Sequence, residues 1–499
     1  MRIITKSRLR GIARFSHSLL VSSLLFTCSV LPAAAHLGSP DVFYEGNAGP
    51  YRLMVTVRVP QAIPGVAEVE VRDPSGEVSN VEFIVLDLSG SGSEFAPAPQ
   101  TGRRSAQDPQ SFESSLWFME SGALQIRVKV MGSRGIGQLA VPVPAVALQK
   151  LPMSIPLAAM LFSLMVLLIL GGLSIVAAGA REGELAPGEP PSADTQRRAR
   201  RAMVMVGVVL TGVLYLGNRW WKVEDVAASA RLYRSPRMSA TLQARNVLLL
   251  KADASEESSA NDLIPDHGHL IHLFLIRSPA MDVFAHLHPA QLADGNFSAP
   301  LPTMPGGHYH IFADIVHRNG FPATMIGEID LPTIAGQPPN GDDSVWSGPA
   351  RSAGAKTSVI FGLPDGGRMV WESPTTLRAR APESFRFRVE DHEGHPIEDL
   401  EPYMGMAGHA EFVRSDLSAF AHVHPSGSVS MAALQMAQGG LEGDRSPALS
   451  EAHIAPMVMT IQPEVSFPYG FPSRGDYRIF VQVKRGGRIV TGVFDAQVQ

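Results

Sequence analysis

Alternating apolar and polar positions occupy most of this chain on both sides of a central apolar segment. From Tyr51 to Val143, runs such as YRLMVTVRV and ALQIRVKV alternate with a period of two and are separated by Pro-Gly and Ser-Gly turns. Successive side chains of a β-strand point to opposite faces, so this period predicts half-buried antiparallel strands. The pattern indicates a small β-sandwich, Ig-like in broad shape, over residues 36–150.

Two long apolar runs interrupt the strand pattern. Ile155–Ala178 contains no charged residue and, as a helix, is long enough to cross roughly 30 Å of hydrocarbon. Ala202–Gly217 is shorter, but two tryptophans follow it and extend it at the membrane interface. We therefore predict transmembrane helices at 153–180 and 202–221.

Charge and a leader-like start predict the topology. The loop 181–201 between the two runs carries five arginines, and the positive-inside rule places it in the cytoplasm. Residues 1–35 have the basic start, apolar centre and Ala-Ala-Ala exit of a secretory signal. Both observations predict that the N- and C-terminal domains lie on the periplasmic or extracellular side of a bacterial inner membrane.

Beyond the second apolar run the strand pattern resumes and occurs twice. HLFLIRSPAMDVFAHLHP from His272 aligns with HAEFVRSDLSAFAHVHP from His409 with one single-residue gap. Such self-similarity predicts two copies of one unit, here sandwiches at 235–332 and 358–499 with a linker at 333–357. The expected fold class is mostly β, with one Ig-like or cupredoxin-like β-sandwich before two transmembrane helices and two after them.

Each copy carries a histidine pair within a predicted strand. FAHLHP contains His286 and His288, and FAHVHP contains His422 and His424. Side chains at i and i+2 of a strand share one face, and two imidazoles on one face are a common way to hold a metal ion. The alternative is that these imidazoles are half-buried structural groups or a pH sensor.

A third histidine precedes each pair. In the second copy a tight two-residue turn predicts that His409 lies directly opposite His422, and the alignment places His272 opposite His286. The Cβ atoms of directly opposed residues are about 4.5–5.5 Å apart. We therefore predict three histidines per copy around a common point.

The ligand types narrow the choice of metal. The only cysteine, Cys28, lies inside the predicted signal, so the mature chain would have no thiolate ligand. Met404 and Met406 lie just before His409 in YMGMAGH, and thioether with imidazole is typical of copper handling outside the cytoplasm. The predicted cofactor is a monovalent or divalent transition metal ion, with copper favoured and zinc as the alternative.

Four other histidines are secondary candidates. A mature N-terminal His36 would chelate copper through its amine and imidazole, although a cleavage site alone also accounts for it. His267 and His269 precede the first strand of the first copy and would add ligands. His310 shares a strand face with His308, but the second copy has an arginine in its place.

The net charge is −5, and no field of lysine and arginine marks a folded segment. Nucleic acid is therefore not an expected partner. The expected partners are the membrane and another envelope protein that receives the metal.

Several segments resemble those of known proteins. DHGHLIHLFLIRS, DVFAHLHP and EPYMGMAGHAEFVRSDLSAFAHVHPSG resemble a group of bacterial envelope proteins that carry one or two such segments, and SPDVFYEGNAGPYRLMVTVRVP resembles their partner domain. More loosely, the secreted sandwich with histidines and methionines is similar to periplasmic copper-binding proteins. The resemblance implies an envelope location and metal binding.

Three functions remain open at this point. The first is the capture, buffering or delivery of copper. The second is a cupin-like metalloenzyme, since Pro305-Gly306-Gly307-His308 fits the later cupin motif. The third is a non-catalytic envelope interaction module. The glutamate that cupins place after His-x-His is missing from HLHPAQLADG and HVHPSGSVSM, which favours a binding protein over an enzyme.

Overall fold

The structure is a computed structural model that describes residues 41–89, 96–186, 188–244, 246–252, 262–351, 358–372, 376–442 and 461–499. The predicted signal peptide at 1–35, which contains Cys28, lies outside the described residues. The predicted mature N-terminus, His36, lies outside them as well. In the described ranges the chain forms six antiparallel sheets and two long apolar helices. The prediction of a mostly β protein with two such helices is confirmed.

The first sandwich is built from two sheets, of strand order β1-β2-β3-β7-β6 and β5-β4-β8-β9. Alternation directs its side chains: Tyr51, Leu53 and Val55 are buried in the core, whereas Arg52 between them is exposed. The strands are β1 Val42–Ala48, β2 Tyr51–Arg58, β3 Gly65–Arg72, β4 Val78–Asp87, β5 Gln100–Thr101, β6 Arg103–Arg104, β7 Ser111–Phe118, β8 Gly122–Gly132 and β9 Gly135–Ala145.

Two helices follow, α1 at Ile155–Glu182 and α2 at Ala193–Ala230. Both are long and apolar enough to cross a membrane, and their apolar side chains are largely exposed on the protein. The second helix begins earlier than predicted, inside the expected loop. The Ser192 hydroxyl accepts a hydrogen bond from the Thr195 amide at 3.2 Å, and this cap fixes the helix start.

The first repeat is a second sandwich, with sheets β10-β11-β16-β15 and β12-β17-β13-β14-β19, and with β18 paired to β17. The interval expected to be linker contributes β19, which pairs with β14 at the sheet edge. The strands are β10 Met238–Gln243, β11 Val247–Ala252, β12 Leu263–Ile264, β13 His272–Ser278, β14 Val283–Leu287, β15 Ala290–Gln291, β16 Phe297–Pro300, β17 Gly307–His317, β18 Pro322–Leu331 and β19 Ser344–Ser347.

The second repeat has the same plan, with sheets β20-β21-β22-β26 and β23-β27-β24-β25, and with β28 paired to β27. A helix that the strand pattern did not predict, α3 at Met431–Glu442, follows the second histidine pair. The strands are β20 Ile360–Gly362, β21 Arg368–Glu372, β22 Glu383–Glu390, β23 Leu400–Glu401, β24 His409–Arg414, β25 Phe420–Val423, β26 Glu464–Tyr469, β27 Gly475–Arg485 and β28 Arg488–Val498.

The two repeats pack against each other through their histidine-bearing sheets. Phe312 stacks on Phe420 with ring centroids 4.4 Å apart, and Phe284 stacks on Phe480 at 4.3 Å. These side chains belong to a buried apolar cluster drawn from both repeats. Such packing of aromatic rings stabilises the contact beyond the burial of their area, and it brings the histidine faces of both copies together.

The first sandwich holds the loop that follows the second histidine pair. The Phe43 amide donates to the Ser428 hydroxyl at 3.1 Å, and the Ser428 amide donates to the Phe43 carbonyl at 2.9 Å. The Phe43 ring is buried in the core of the second repeat. The loop after His424 is therefore fixed from two sides.

Candidate metal centre

Eight histidines meet in the interface between the repeats. Alternation places His272 on the same face of β13 as Phe274, and the neighbouring strands present their histidines in the same way. Neighbouring imidazole rings have centroid separations of 3.9 to 6.2 Å. The eight are His267, His269, His272, His286, His288, His409, His422 and His424. All six primary histidine candidates lie in this cluster, which we call the histidine centre.

The predicted opposition of the histidines was wrong by two residues. Glu411, not His409, lies directly across from His422, and Phe274 lies across from His286. The connecting turn is longer than the two residues expected, because the Arg414 amide bonds the carbonyl of Ala419. A shift of two residues keeps every side chain on its face, so the histidines still converge.

Two groups of three histidines have ligand atoms that lie within 4.8 Å of one another. The first triad combines both repeats, with His267 from the first and His409 and His424 from the second. The second triad consists of His272, His286 and His288.

In the second triad His272 Nδ1 lies 3.3 Å from His286 Nε2. Metal–nitrogen bonds of about 2.0–2.1 Å at tetrahedral angles place neighbouring ligand atoms about 3.3–3.4 Å apart. The two nitrogens therefore already have the separation of an edge of a metal site.

Main-chain carbonyls orient two rings of the first triad. His267 Nδ1 lies 3.1 Å from the Met404 carbonyl oxygen, and His424 Nδ1 lies 3.0 Å from the Val429 carbonyl oxygen. Their Nε2 atoms are buried and meet no hydrogen-bond partner among the described residues. A ring nitrogen bonded outward to an oxygen, with the other nitrogen free and facing inward, is the arrangement of metal-ligating histidines.

Carboxylates orient two more rings in the same way. His288 Nδ1 lies 3.0 Å from Asp343 Oδ1, and His422 Nδ1 lies 3.4 Å from Asp314 Oδ2. Within the described part of the chain, Nε2 of both rings and both ring nitrogens of His409 lack a hydrogen-bond partner. A buried polar group without a partner lowers the stability of the fold by about 1–3 kcal/mol. A ligand bound to these nitrogens would offset that cost.

Each repeat supplies a side chain that contacts the outer ring nitrogen of a histidine in the other repeat. His286 of the first repeat lies 2.9 Å, through Nδ1, from Gln482 Oε1 of the second. His422 of the second repeat faces Asp314 of the first. Asp314 and Gln482 occupy matching places, since they pair with His272 and His409 respectively. The centre thus has an approximate twofold arrangement in which one half has an acid where the other has an amide.

Burial keeps these imidazoles neutral. It lowers the pKa of His272, His286, His409 and His422 well below the usual value, and the neighbouring imidazoles lower it further. For His424 burial and the neighbouring His267 lower the pKa to about 3. Neutral imidazole is the form that binds metal, so the ligands are available without loss of a proton at neutral pH.

Equivalent turns precede the third histidine of each repeat. Asp266–His269 and Tyr403–Met406 each close a short bridge, and their second residues, His267 and Met404, both have a positive φ. His267 lies five residues before His272, and Met404 lies five residues before His409. The methionine candidates therefore occupy the places of His267 and His269, and Met404 contacts the centre through its carbonyl oxygen.

The remaining candidates lie apart from the centre or add to it. His269 stacks on His288 with centroids 3.9 Å apart and belongs to the centre. His310 instead forms a more exposed group with His308 and Glu328 on β17 and β18. Sequence reasoning missed two acids beside the centre, the half-buried Asp314 and the fully buried Glu411. Their signal was a charged residue on a strand face otherwise formed by histidine and apolar side chains.

Comparison with known proteins identifies a domain but no activity. Residues 363–499 match DUF8832, a domain of unknown function. No curated protein matches the sequence.

Among solved structures, a tetra-tandem repeat from the extending region of a large adhesion protein has 9% identity and a TM-score of 0.16, covering 88% of this chain and 72% of that one. The Escherichia coli adhesin FdeC has 12% identity and a TM-score of 0.15, covering 91% of this chain and 100% of that one. At these TM-scores the likeness supports no statement about function.

Proposed function

We propose that this protein is a membrane-anchored, extracytoplasmic metal-binding protein that captures, buffers or delivers copper through the histidine centre. The observation that carries the proposal is the set of buried imidazole nitrogens that lack a hydrogen-bond partner among the described residues while their opposite nitrogens are held by oxygen atoms. The outer bonds fix each ring with its free nitrogen directed inward. The resemblance to bacterial envelope proteins with FAH[LV]HP segments agrees with this role.

Copper is favoured over zinc by the ligand set. The triads offer neutral imidazoles, and Met404 and Met406 lie in the turn whose main chain contacts the centre. Soft thioether and imidazole ligands suit Cu(I), whereas zinc also accepts carboxylate and closes its shell with four ligands. Because the sole cysteine, Cys28, lies in the segment that we propose to be a cleaved signal peptide, thiolate would not compete as a ligand in the mature chain.

The cupin-like alternative has little support in the arrangement of the site. It would require His308, in the Pro-Gly-Gly-His segment, to join the histidine pair at one ion. His308 instead bonds Asp330 at 2.9 Å on an exposed part of β17. The first triad also combines histidines from both repeats, whereas a cupin site is built within one domain.

The metal content of the purified chain tests the proposal. We expect the full-length protein, purified without a tag in detergent and loaded anaerobically with Cu(I), to retain about two ions per chain, one for each triad. The H422A/H424A double variant should lose at least one ion, because it removes a ligand of the first triad and the ring between the triads. Inductively coupled plasma mass spectrometry after desalting measures the stoichiometry.

The matched control is the H308A/H310A double variant, which removes a His-x-His pair of identical spacing that is partly exposed and lies outside the histidine centre. Its copper content should equal that of the wild type. Wild-type protein without bound copper, or equal stoichiometry in H422A/H424A, would overturn the proposed function.

The location part of the proposal has its own test. We expect alkaline phosphatase fused after Gln499 to be active, since the enzyme folds only outside the cytoplasm and the arginine-rich segment between the helices favours the cytoplasmic side. The same reporter inserted after Pro190, between α1 and α2, is the control and should be inactive. The reverse pattern of activity would contradict an extracytoplasmic histidine centre.

A further inference from the structure

A second group of metal-type donors lies outside the histidine centre, where β17 begins and β18 ends. His308 and His310 share one face of β17 because they are two residues apart. On β18, Asp330 lies directly across from His308, and Glu328 lies directly across from His310. The Cβ atoms of directly opposed residues are about 4.5–5.5 Å apart, so two imidazoles and two carboxylates are neighbours on one face of the sheet.

The Glu328 carboxylate contacts both rings. Its Oε2 lies 3.6 Å from His308 Nε2, and its Oε1 lies 3.4 Å from His310 Nδ1. One ligand atom from each of these three residues lies within 4.8 Å of the other two. Neighbouring ligands of a tetrahedral ion with bonds of about 2.0–2.1 Å are about 3.3–3.4 Å apart. Both contacts of Glu328 are therefore close to the edge length of a metal site.

Asp330 fixes the orientation of His308. The Nδ1 atom of His308 lies 2.9 Å from Asp330 Oδ1, which leaves Nε2 directed at Glu328. A carboxylate on the outer nitrogen of a ligating imidazole holds the ring in place and raises its basicity. The group thus contains three ligand atoms and an outer carboxylate that positions one of them.

In the second repeat an arginine occupies the place of His310. His310 on β17 pairs with the residue four positions after His272, and Arg478 on β27 pairs with the residue four positions after His409. Arg478 also lies across from Asp495, as His310 lies across from Glu328.

The two repeats compensate this carboxylate differently. The Arg478 guanidinium donates to both oxygens of Asp495, at 2.8 and 2.9 Å. In the first repeat the ion-pair partners of Glu328 among the described residues are the imidazoles of His308 and His310. Imidazole, unlike guanidinium, is not a permanent cation. A bound metal ion would supply the positive charge that the arginine supplies in the second repeat.

We propose that His308, His310 and Glu328 form a surface site for one divalent ion, separate from the histidine centre, with zinc as the favoured occupant. Imidazole with carboxylate oxygen suits Zn²⁺, whereas all-imidazole and thioether sets suit Cu(I). The three side chains are partly exposed, so the fourth tetrahedral position would be open to water. The inference goes beyond the proposed function and does not require copper in the triads, because none of these ligands belongs to the histidine centre.

Zinc binding to the copper-loaded protein tests this site. The full-length protein is filled anaerobically with Cu(I), so that the triads are occupied, and is then titrated with Zn²⁺ in competition with a chromophoric zinc chelator. We expect the wild type to bind one equivalent of Zn²⁺ that the H308A/H310A variant loses. E328Q should weaken zinc binding by about tenfold or more, since the loss of even an outer partner of a metal ligand weakens binding by about 10–100-fold.

The matched control is E393Q, which removes a carboxylate from the other exposed group, formed by Asp391, Glu393 and His395. Its zinc affinity should equal that of the wild type. The substituted side chains are at least partly exposed, so all variants should fold, and the unfolding temperature of each metal-free variant checks this.

Three results would overturn the surface site. One is equal zinc binding by the wild type and H308A/H310A, and another is a zinc affinity that E328Q leaves unchanged. The third is equal weakening by E328Q and E393Q, which would mean that zinc responds only to the total surface charge. Copper content reports separately on the proposed function: a protein that retains no Cu(I) would refute that function, whereas one equivalent of Zn²⁺ lost in H308A/H310A would still support the surface site.

Discussion

Loading the purified protein with Cu(I) is expected to raise its thermal unfolding temperature by about 10 °C or more. The metal-free centre buries imidazole nitrogens that meet no hydrogen-bond partner in the described part of the chain, and each such group destabilises the fold. Metal coordination satisfies them only in the folded state. At a free ion concentration a thousandfold above Kd, binding contributes about 4 kcal/mol per site. Scanning calorimetry of the loaded and chelator-stripped protein measures the difference.

Two variants separate this effect from general binding of copper. H422A/H424A should lose much of the stabilisation, since it removes a ligand of the first triad and the ring that lies between the triads. H308A/H310A, which removes a partly exposed pair outside the histidine centre, should keep it. A shift of the same size in both variants would mean that copper stabilises the protein elsewhere and would contradict the assignment.

The local alternation of apolar and polar residues predicted which side chains share a face of each strand, but not which other part of the chain packs against that face. The period of two was sufficient to place His286 beside His288, and the duplicated segment predicted the matching pair. The packing of one repeat against the other depends on contacts between residues far apart in sequence, such as Phe312 on Phe420. The first triad, which draws on both repeats, could therefore not be predicted from either copy alone.

The register error has a local cause. Opposition in a hairpin is set by the length of its turn, and the sequence Ser-Asp between Arg414 and Leu417 resembles a two-residue turn. The structure instead places Leu417 within the turn, at a positive φ, and the Asp416 carboxylate accepts from the Ser418 amide at 3.0 Å. The turn residues form these local bonds at the expense of a tighter hairpin.

The two halves of the histidine centre have diverged at matching places. His267 corresponds to Met404, Phe274 to Glu411 and Asp314 to Gln482. Two of these differences exchange one donor type for another, and the third places a carboxyl group where the first repeat has an apolar ring, all at matching backbone positions. Under the proposed function, the inequivalent positions would allow an ion to be received at one and released from another.

Replacing Arg478 by methionine is expected to destabilise the protein by about 3 kcal/mol and to lower its unfolding temperature by roughly 6–12 °C. The Arg478 guanidinium is 4% exposed and donates to both Asp495 oxygens at 2.8 and 2.9 Å. It also donates to the carbonyl oxygens of Met281 and Pro349, from the first repeat and the segment after it. Methionine fills similar volume but leaves a partly buried carboxylate and two carbonyls without this donor.

The matched control is R485M on the same strand, where the guanidinium bonds Asp399 at 2.8 Å near the surface. Exposed ion pairs contribute about 0–1 kcal/mol, so the unfolding temperature of R485M should change little.

The R478M variant should also retain less copper. Arg478 lies on the strand face that carries Gln482, the partner of His286, so its loss loosens the interface that joins the triads. Equal stability of R478M and R485M would show that the contact between the repeats does not depend on this arginine, and unchanged copper retention in a destabilised R478M would show that the histidine centre assembles without it.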